Sequence, residues 1–290
     1  MEAIAIEKLT KNYTGKKGAS VQALKMLDLT LDRGEVFGFL GPNGAGKSTT
    51  IKLLMGLIAP TSGTAYVNGI DISHASARAE VGYLPENPAF YDYLTAEEYL
   101  AFVAGQFNIH GEEQRRRCDE ALHLFDLWDA RKRSVRSYSK GMVQRLGLAQ
   151  VLVHDPSVYI LDEPMSGLDP LGRSHVKDVI RDLKQRGKTV FFSTHITSDV
   201  EQVCDRVGVI LNGELKAVER VGDIMSSGIC GYLVRTRGAD GTTKEQTVMP
   251  DSLSETLHAE QTSGARVLLV EPLRKDLEQF FLGIVAGKSC

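Results

Sequence analysis

Short apolar runs closed by glycine, proline or asparagine divide the chain into strand-length and helix-length segments. Alternation over Ile4–Leu9 and Val21–Leu31 predicts two strands, separated by a Gly/Lys-rich turn around Thr14–Gly18. The run Glu35–Leu40 predicts a third strand, ending at Gly41-Pro42-Asn43-Gly44. A helical period follows from Lys47 to about Leu57 and is broken at Pro60–Gly63. Ala65–Val67 and Val81–Leu84 read as further strands. From Thr95 to His154 the period turns helical, with Leu100 and Val103, Ala121 and Phe125, and Leu146, Ala149 and Val153 on shared faces. Strand–helix alternation then resumes: Ser157–Leu161, Pro170–Arg186, Lys188–Ser193, Ile196–Cys204 and Val207–Leu211, the last closed by an Asn212-Gly213 hairpin signal. Buried strands alternating with helices predict an α/β fold on a parallel sheet, with the helical block inserted between two of its strands.

Beyond about Met225 the pattern changes. A hairpin is expected from Tyr232–Arg237 and Lys244–Met249 across Gly-Ala-Asp-Gly-Thr-Thr, helices at Ser252–Glu260 and Arg274–Leu282, and a strand at Arg266–Glu271. The expected organisation is a large domain over 1–224, with its helical part at about 87–154, and a small α+β accessory domain over 225–290, whose strand edges are expected to reinforce pairing of two copies.

Composition narrows this only a little. With 290 residues, 42% hydrophobic and 24% charged, the chain has the makeup of a globular protein, which excludes a mostly disordered one. A net charge of −3 gives no reason to expect a nucleic-acid partner. No apolar run approaches the ~18–20 residues of a bilayer helix. Met1–Leu9, with Glu2, Glu7 and Lys8, reads as a strand and not a leader. Cys118, Cys204, Cys230 and Cys290 lack metal-ligand spacing, so neither zinc nor a disulfide framework is indicated and a cytosolic location is expected.

The chemistry is concentrated in a few motifs. Gly41-Pro42-Asn43-Gly44-Ala45-Gly46-Lys47-Ser48, followed by Thr49, matches G-x-x-x-x-G-K-[ST] between a strand and a helix. Glycines let successive backbone N–H groups face phosphate oxygens, and the helix start adds its positive dipole end. Lys47 would neutralise the β and γ phosphates, and the Ser48 hydroxyl would hold magnesium. The buried strand Val158–Leu161 ends in Asp162-Glu163, at the sheet edge where ligands bind in open α/β folds. Adjacent side chains diverge along a strand, so Asp162 is expected in the magnesium shell and Glu163 as general base toward water.

Tyr138-Ser139-Lys140-Gly141-Met142-Val143-Gln144-Arg145 at a helix start, then Asp162-Glu163-Pro164 and Ser166-Gly167-Leu168-Asp169, resemble the ATP-binding cassette (ABC) ATPases over about Met1 to Val221. Pro85-Glu86-Asn87 and the Tyr-Ser-Lys-Gly-Met form resemble the bacterial ABC-2 type exporter subset. The resemblance implies a P-loop NTPase with an N-terminal antiparallel β subdomain and a helical insertion, using ATP and Mg2+. Two copies would form a head-to-tail homodimer, peripheral on the cytoplasmic face of the membrane, energising a separate transmembrane permease for an unknown transported substrate. It assigns Ser139 and Gly141 to the γ-phosphate held by the other protomer, and Asp169 to the protomer interface. Both Ser139 and Asp169 also fit plain helix caps. It further assigns His195 as a γ-phosphate switch, Tyr13 to adenine stacking, and Glu86 to the metal or to coupling with the permease. The family usually carries glutamine at the position of Glu86. Phe90, Tyr91 and Tyr93, on expected helices Pro88–Tyr93 and Thr95–Phe107, are candidate permease anchors or core, and Trp128 is expected to fill the helical core. The same motifs serve soluble members such as an iron–sulfur assembly ATPase, and would serve a nucleotide-binding module without turnover.

Overall fold

The computed structural model describes residues 2–14, 20–226, 229–238, 241–274 and 276–286. The expected turn at Thr14–Gly18 falls largely outside these residues, as do Ala239 and Asp240 of the second expected turn and Cys290. In chain order, β1 (Glu2–Thr14), β2 (Ser20–Asp32) and β3 (Val36–Leu40) precede α1 (Lys47–Leu54). Then come β4 (Ser62–Val67), β5 (Ile70–Asp71) and β6 (Val81–Leu84), followed by α2 (Ala96–Gln106), α3 (Gly111–Leu124) and α4 (Lys140–Leu152). The sequence β7 (Val158–Asp162), α5 (Pro170–Gln185), β8 (Thr189–Thr194), α6 (Thr197–Val203), β9 (Arg206–Leu211) and β10 (Glu214–Arg220) completes the larger part. Two compact units result, Met1–Val218 and Glu219–Cys290; the sequence reading set the break after residue 224.

Two sheets build the larger unit. One has the order β2-β1-β4-β5 with antiparallel neighbours, and the other the order β10-β9-β3-β8-β7-β6. Strands β9, β3, β8, β7 and β6 run parallel. Strand β10 is joined to β9 by the two-residue Asn212-Gly213 turn, whose φ of 50° and 80° suits a hairpin.

Alternation within the parallel strands divides the core in two. Phe37, Phe39, Val158, Ile160 and Phe191 face one cluster with Ile51 and Leu54 of α1 and with Ile4, Ile6, Leu27 and Ala65 of the antiparallel sheet. Val36, Tyr159, Leu161, Val190 and Phe192 face the other, with residues of α2 to α6. Helix α1 is therefore pinned between the sheets, and the loop feeding it emerges at the C-terminal edge of β3. Burial of this kind contributes ~25 cal/mol per Å² of apolar area and dominates the unit's stability.

Three expectations are corrected. Pro88–Tyr93 forms no helix; with prolines at 85 and 88 it runs irregularly, and α2 begins only after Thr95, which closes a capping box with Glu98. Trp128 is half-buried on the core margin, stacked between the His123 ring (4.1 Å) and the Arg131 guanidinium (3.7 Å). The expected helix at Arg274–Leu282 starts later, because Arg274 still pairs with Ile229 in a strand.

The smaller unit holds α7 (Val221–Ser226), β11 (Ile229–Arg237), β12 (Thr243–Val248), α8 (Leu253–Thr262), β13 (Arg266–Arg274) and α9 (Leu277–Val285). Its antiparallel sheet has the order β12-β11-β13. Asp276 caps α9 by accepting from the Gln279 N–H at 2.7 Å.

Candidate functional site

The loop from β3 to α1 is a cradle dictated by glycine. A Cβ on Gly41 would lie 2.4 Å from the Ile210 carbonyl oxygen, so no larger residue fits without displacing β9. Gly44 and Gly46 adopt φ of 80° and 114°, in the left-handed range that glycine tolerates. Helix α1 starts at Gly46 with no side-chain cap and no acid in its first turn, leaving its positive end open to an anion. The Lys47 ammonium is 6% exposed and donates to the Gly41 and Pro42 carbonyls at 2.7 and 3.3 Å. A cavity of about 340 Å³ is lined by Pro42, Asn43, Gly44, Gly46, Lys47, Ser48 and Thr49 together with Ala23, Glu86 and Glu163.

The acidic pair completes this cradle. Asp162 ends β7 opposite Ser193 of β8, whose hydroxyl donates to Asp162 Oδ1 at 2.6 Å. Ser48 Oγ lies 3.4 Å from the same oxygen. Glu163 has φ of 50°, a left-handed backbone that costs a non-glycine residue ~1–2 kcal/mol. That turn sends its carboxylate away from Asp162 toward Lys47 (3.5 Å) and His195 Nδ1 (3.0 Å). The Tyr83 phenol on β6 is held above its ordinary pKa, first by burial and then by the charge of Asp162. The donor set fits its expected ligands: an open helix start and a buried ammonium suit a polyphosphate, and the Ser48 and Asp162 oxygens suit a hard divalent cation.

Other candidates lie elsewhere. Ser139 caps α4, accepting from the Met142 N–H at 3.3 Å, and Asp169 caps α5, accepting from the Gly172 N–H at 2.8 Å. With Gly141, Arg145, Gly167 and His175 they line a separate cavity of about 510 Å³ that shares no residue with the cradle. Tyr13, near the end of β1, is exposed with Lys11 Nζ 5.2 Å over its ring, and is absent from the cradle lining.

Among known proteins, the family model for ABC transporters matches residues 24–166. The ABC transporter ATP-binding protein sll0415 of Synechocystis is 40% identical over 277 residues, covering 90% of this chain and 78% of that one. This chain belongs to the ABC transporter ATP-binding family. The bacitracin transport ATP-binding protein BcrA of Bacillus licheniformis is 41% identical over 71% of this chain and 66% of its own. A solved dimer of the ATP-binding cassette MJ0796, in a post-hydrolysis state with ADP and phosphate, has a TM-score of 0.70 at 25% identity, covering 75% of this chain and 98% of that one. The chain is thus the ATP-binding subunit of an ABC transporter, an ATPase of the P-loop type. Among the described residues no helix is long and apolar enough to cross a membrane.

Several parts of this ABC ATPase escaped the sequence reading. Ser193, fully buried, also accepts from the Glu163 N–H at 3.0 Å. Gln144 of α4, 4% exposed, donates to the carbonyls of Glu163 (3.4 Å) and Pro164 (3.0 Å). Asp199 of α6, 1% exposed, meets Arg173 at 2.8 Å and Lys177 at 3.0 Å on α5, tying the helix begun by Asp169 to the one after His195. Ser193, on β8, and Asp199 belong to no motif, and Gln144 lies inside the Tyr138–Arg145 motif without a role that the motif states.

Proposed function

We propose that two copies of this chain close head to tail on two ATP molecules and so energise a separate transmembrane permease, in the direction of export. The observation that carries this reading is that the site is divided between two faces. The cradle holds Lys47, Ser48 and Glu163, while Ser139, Gly141 and Asp169 line a cavity with no residue in common. A second copy supplies the missing half to each. A Cβ on Gly141 would make only ordinary contacts, the nearest at 3.6 Å, so the chain's own packing does not demand glycine there. Close approach of a ligand from outside does.

In this reading the N–H groups of Gly44, Gly46, Lys47 and Ser48 and the Lys47 ammonium bind the phosphates, and Tyr13 offers a flat apolar face to adenine. Ser48 and Asp162 hold the metal, with Glu86 beside them at the cavity wall. Mg2+, when bound, supplies charge neutralisation on the phosphate oxygens. Glu163 takes a proton from water as its oxygen attacks the γ-phosphorus and the bond to the β-phosphate oxygen breaks. His195, its Nδ1 against both Glu163 oxygens at 3.0 and 3.1 Å, orients that carboxylate and presents its ring to the γ-phosphate.

Permease contact is proposed for the segment after Glu86. Tyr91 and Tyr93 are 54% and 71% exposed and form an aromatic patch with Phe102, whose ring centroid is 6.0 Å from that of Tyr91. Exposed aromatics of this kind anchor interfaces. Phe90 turns inward onto Tyr99 and belongs to the core. Export rests on likeness to transporters such as the bacitracin subunit and the cytoplasmic-face location on the family, whereas a dimer-reinforcing role for the smaller unit rests on its edge strands β12 and β13, whose backbone can pair with a second copy. The deciding experiment is Glu163→Gln: ATP binding persists, phosphate release falls roughly 10²–10⁴-fold, and an ATP-bound dimer accumulates in size-exclusion chromatography. Normal turnover by that variant removes Glu163 as the base.

A further inference from the structure

Glu163 is held from both sides along the chain. Its N–H is bonded to the Ser193 hydroxyl at 3.0 Å, and the carbonyls of Glu163 and Pro164 are bonded to the Gln144 amide at 3.4 and 3.0 Å. Between these two grips the residue keeps a φ of 50°, a conformation that persists only where its surroundings over-determine it. The two grips differ in what they are attached to. Ser193 lies on β8, hydrogen-bonded directly to β7, so it moves with the strand that carries Glu163. Gln144 lies on α4, the helix whose capped start is Ser139, five residues and about 7.5 Å along the helix axis away. Its side chain is buried, and its amide reaches two successive carbonyls, so a shift of α4 by a fraction of an ångström changes both bonds.

We infer that Gln144 is a positioning residue through which α4 sets the orientation of Glu163, so that a nucleotide gripped at Ser139 in one active site brings the base of this chain's own site into line. The inference rests on the head-to-tail reading above. It adds a physical link between the two sites: the helix start touches the partner's nucleotide, and the same rigid helix holds the backbone of the local base. Because α4 is a single hydrogen-bonded rod, displacement at its N-terminus is passed to Gln144 with little loss. Because Glu163 is in a strained conformation, weakening one grip lets the peptide relax and carries the carboxylate off the attacking water. A purely structural glutamine would act on stability; this one acts on turnover and on cooperation between sites.

The test uses the full chain with Gln144→Met, which keeps the length of the side chain and removes both donors, and Gln144→Glu, which keeps the shape and puts carboxylate oxygens against two carbonyls. Steady-state ATP hydrolysis, binding of a fluorescent ATP analogue and amide hydrogen exchange are measured on each. The expected result for both is a kcat about tenfold lower, nucleotide affinity within about twofold of the parent, a Hill coefficient for ATP reduced toward unity, and faster exchange confined to 163–168. Gln144→Glu recovers part of its rate as pH is lowered and its carboxyl gains a proton to donate, a response Gln144→Met lacks. If Gln144→Met melts much earlier than the parent, the pH response and exchange pattern of Gln144→Glu decide the matter alone. Parental kcat and cooperativity in a variant that dimerises with ATP overturn the inference and leave the sandwich intact. A parent chain that stays monomeric with ATP overturns the sandwich instead.

Discussion

The two helix starts proposed to grip phosphate are built differently. Helix α1 begins at Gly46 with no side-chain cap, whereas α4 begins at Ser139 with the serine hydroxyl already bonded to the Met142 N–H. The α1 start is enclosed by Ile210, Ala23 and the buried Lys47, and is shaped before any ligand arrives. The α4 start lies in a cavity lined by residues of segments 139–145 and 167–178, with its own cap satisfying what a ligand would otherwise satisfy. An unfilled cap costs ~0.5–2 kcal/mol, so the α1 end has more to gain from an anion than the α4 end. In the proposed sandwich the cradle is the standing binding site, and the serine helix is the part that can let go.

Substitutions at the two starts test this contrast. The largest effect is expected for Lys47→Ala: ATP affinity about 10–100-fold weaker by equilibrium binding, with phosphate release lost, since a buried charge-assisted contact is removed. Retained affinity would mean the ammonium serves only the Gly41 and Pro42 carbonyls. Ligand should next raise the melting temperature of the parent: at a hundredfold excess of ATP over its Kd, linkage adds about 2.7 kcal/mol, and Lys47→Ala, about 10–100-fold weaker, keeps only about 0.4–1.4 kcal/mol of that gain at the same concentration. Ser139→Ala is expected to cost about 1 kcal/mol in stability, a melting shift of about 2–4 °C, and to lower turnover by about tenfold or more at unchanged single-chain ATP affinity. A variant that loses only the few degrees reduces Ser139 to a cap.

The smallest effect lies away from both starts. His154 stacks on Phe107 at 3.8 Å, and burial holds its pKa below the ordinary 6.5. The unfolded chain therefore takes up this proton first. Stability is complete above about pH 6.5 and falls as pH drops from there toward the depressed folded value. Thermal melts between pH 7 and 5.5 should show that slope, and His154→Phe should flatten it while keeping the ring stack. An unchanged slope in the variant assigns the acid sensitivity to other groups.

How much of this was legible depends on how far apart the partners are along the chain. Gly41 to Ser48 need only their own order, because the turn and the helix start are local and each glycine answers a local backbone demand. The Asn212-Gly213 turn was readable for the same reason. The equivalent Asn68-Gly69 turn, with φ of 50° and 80°, is hard to read because β5 beyond it is only two residues long. The helix expected at Pro88–Tyr93 came with the family resemblance and not from a helical period, and the prolines at 85 and 88 keep that segment irregular. The helix Arg274–Leu282 misled because the strand continues until its pairing with β11 ends.

Order along the chain determined the phosphate loop, the acidic strand end, the capped serine helix and the family, since each is a short pattern with its own local physics. Tertiary structure alone decided what stands behind them. The hydroxyl of Ser193 reaches back 31 residues to Asp162, and the Gln144 amide reaches forward 19 to the carbonyl of Glu163. Asp199 holds an arginine 26 residues away. Such contacts depend on which strands and helices become neighbours, and on a backbone turn at Glu163 that no residue preference announces. Only the packed sheet and its covering helices bring those groups within bonding distance.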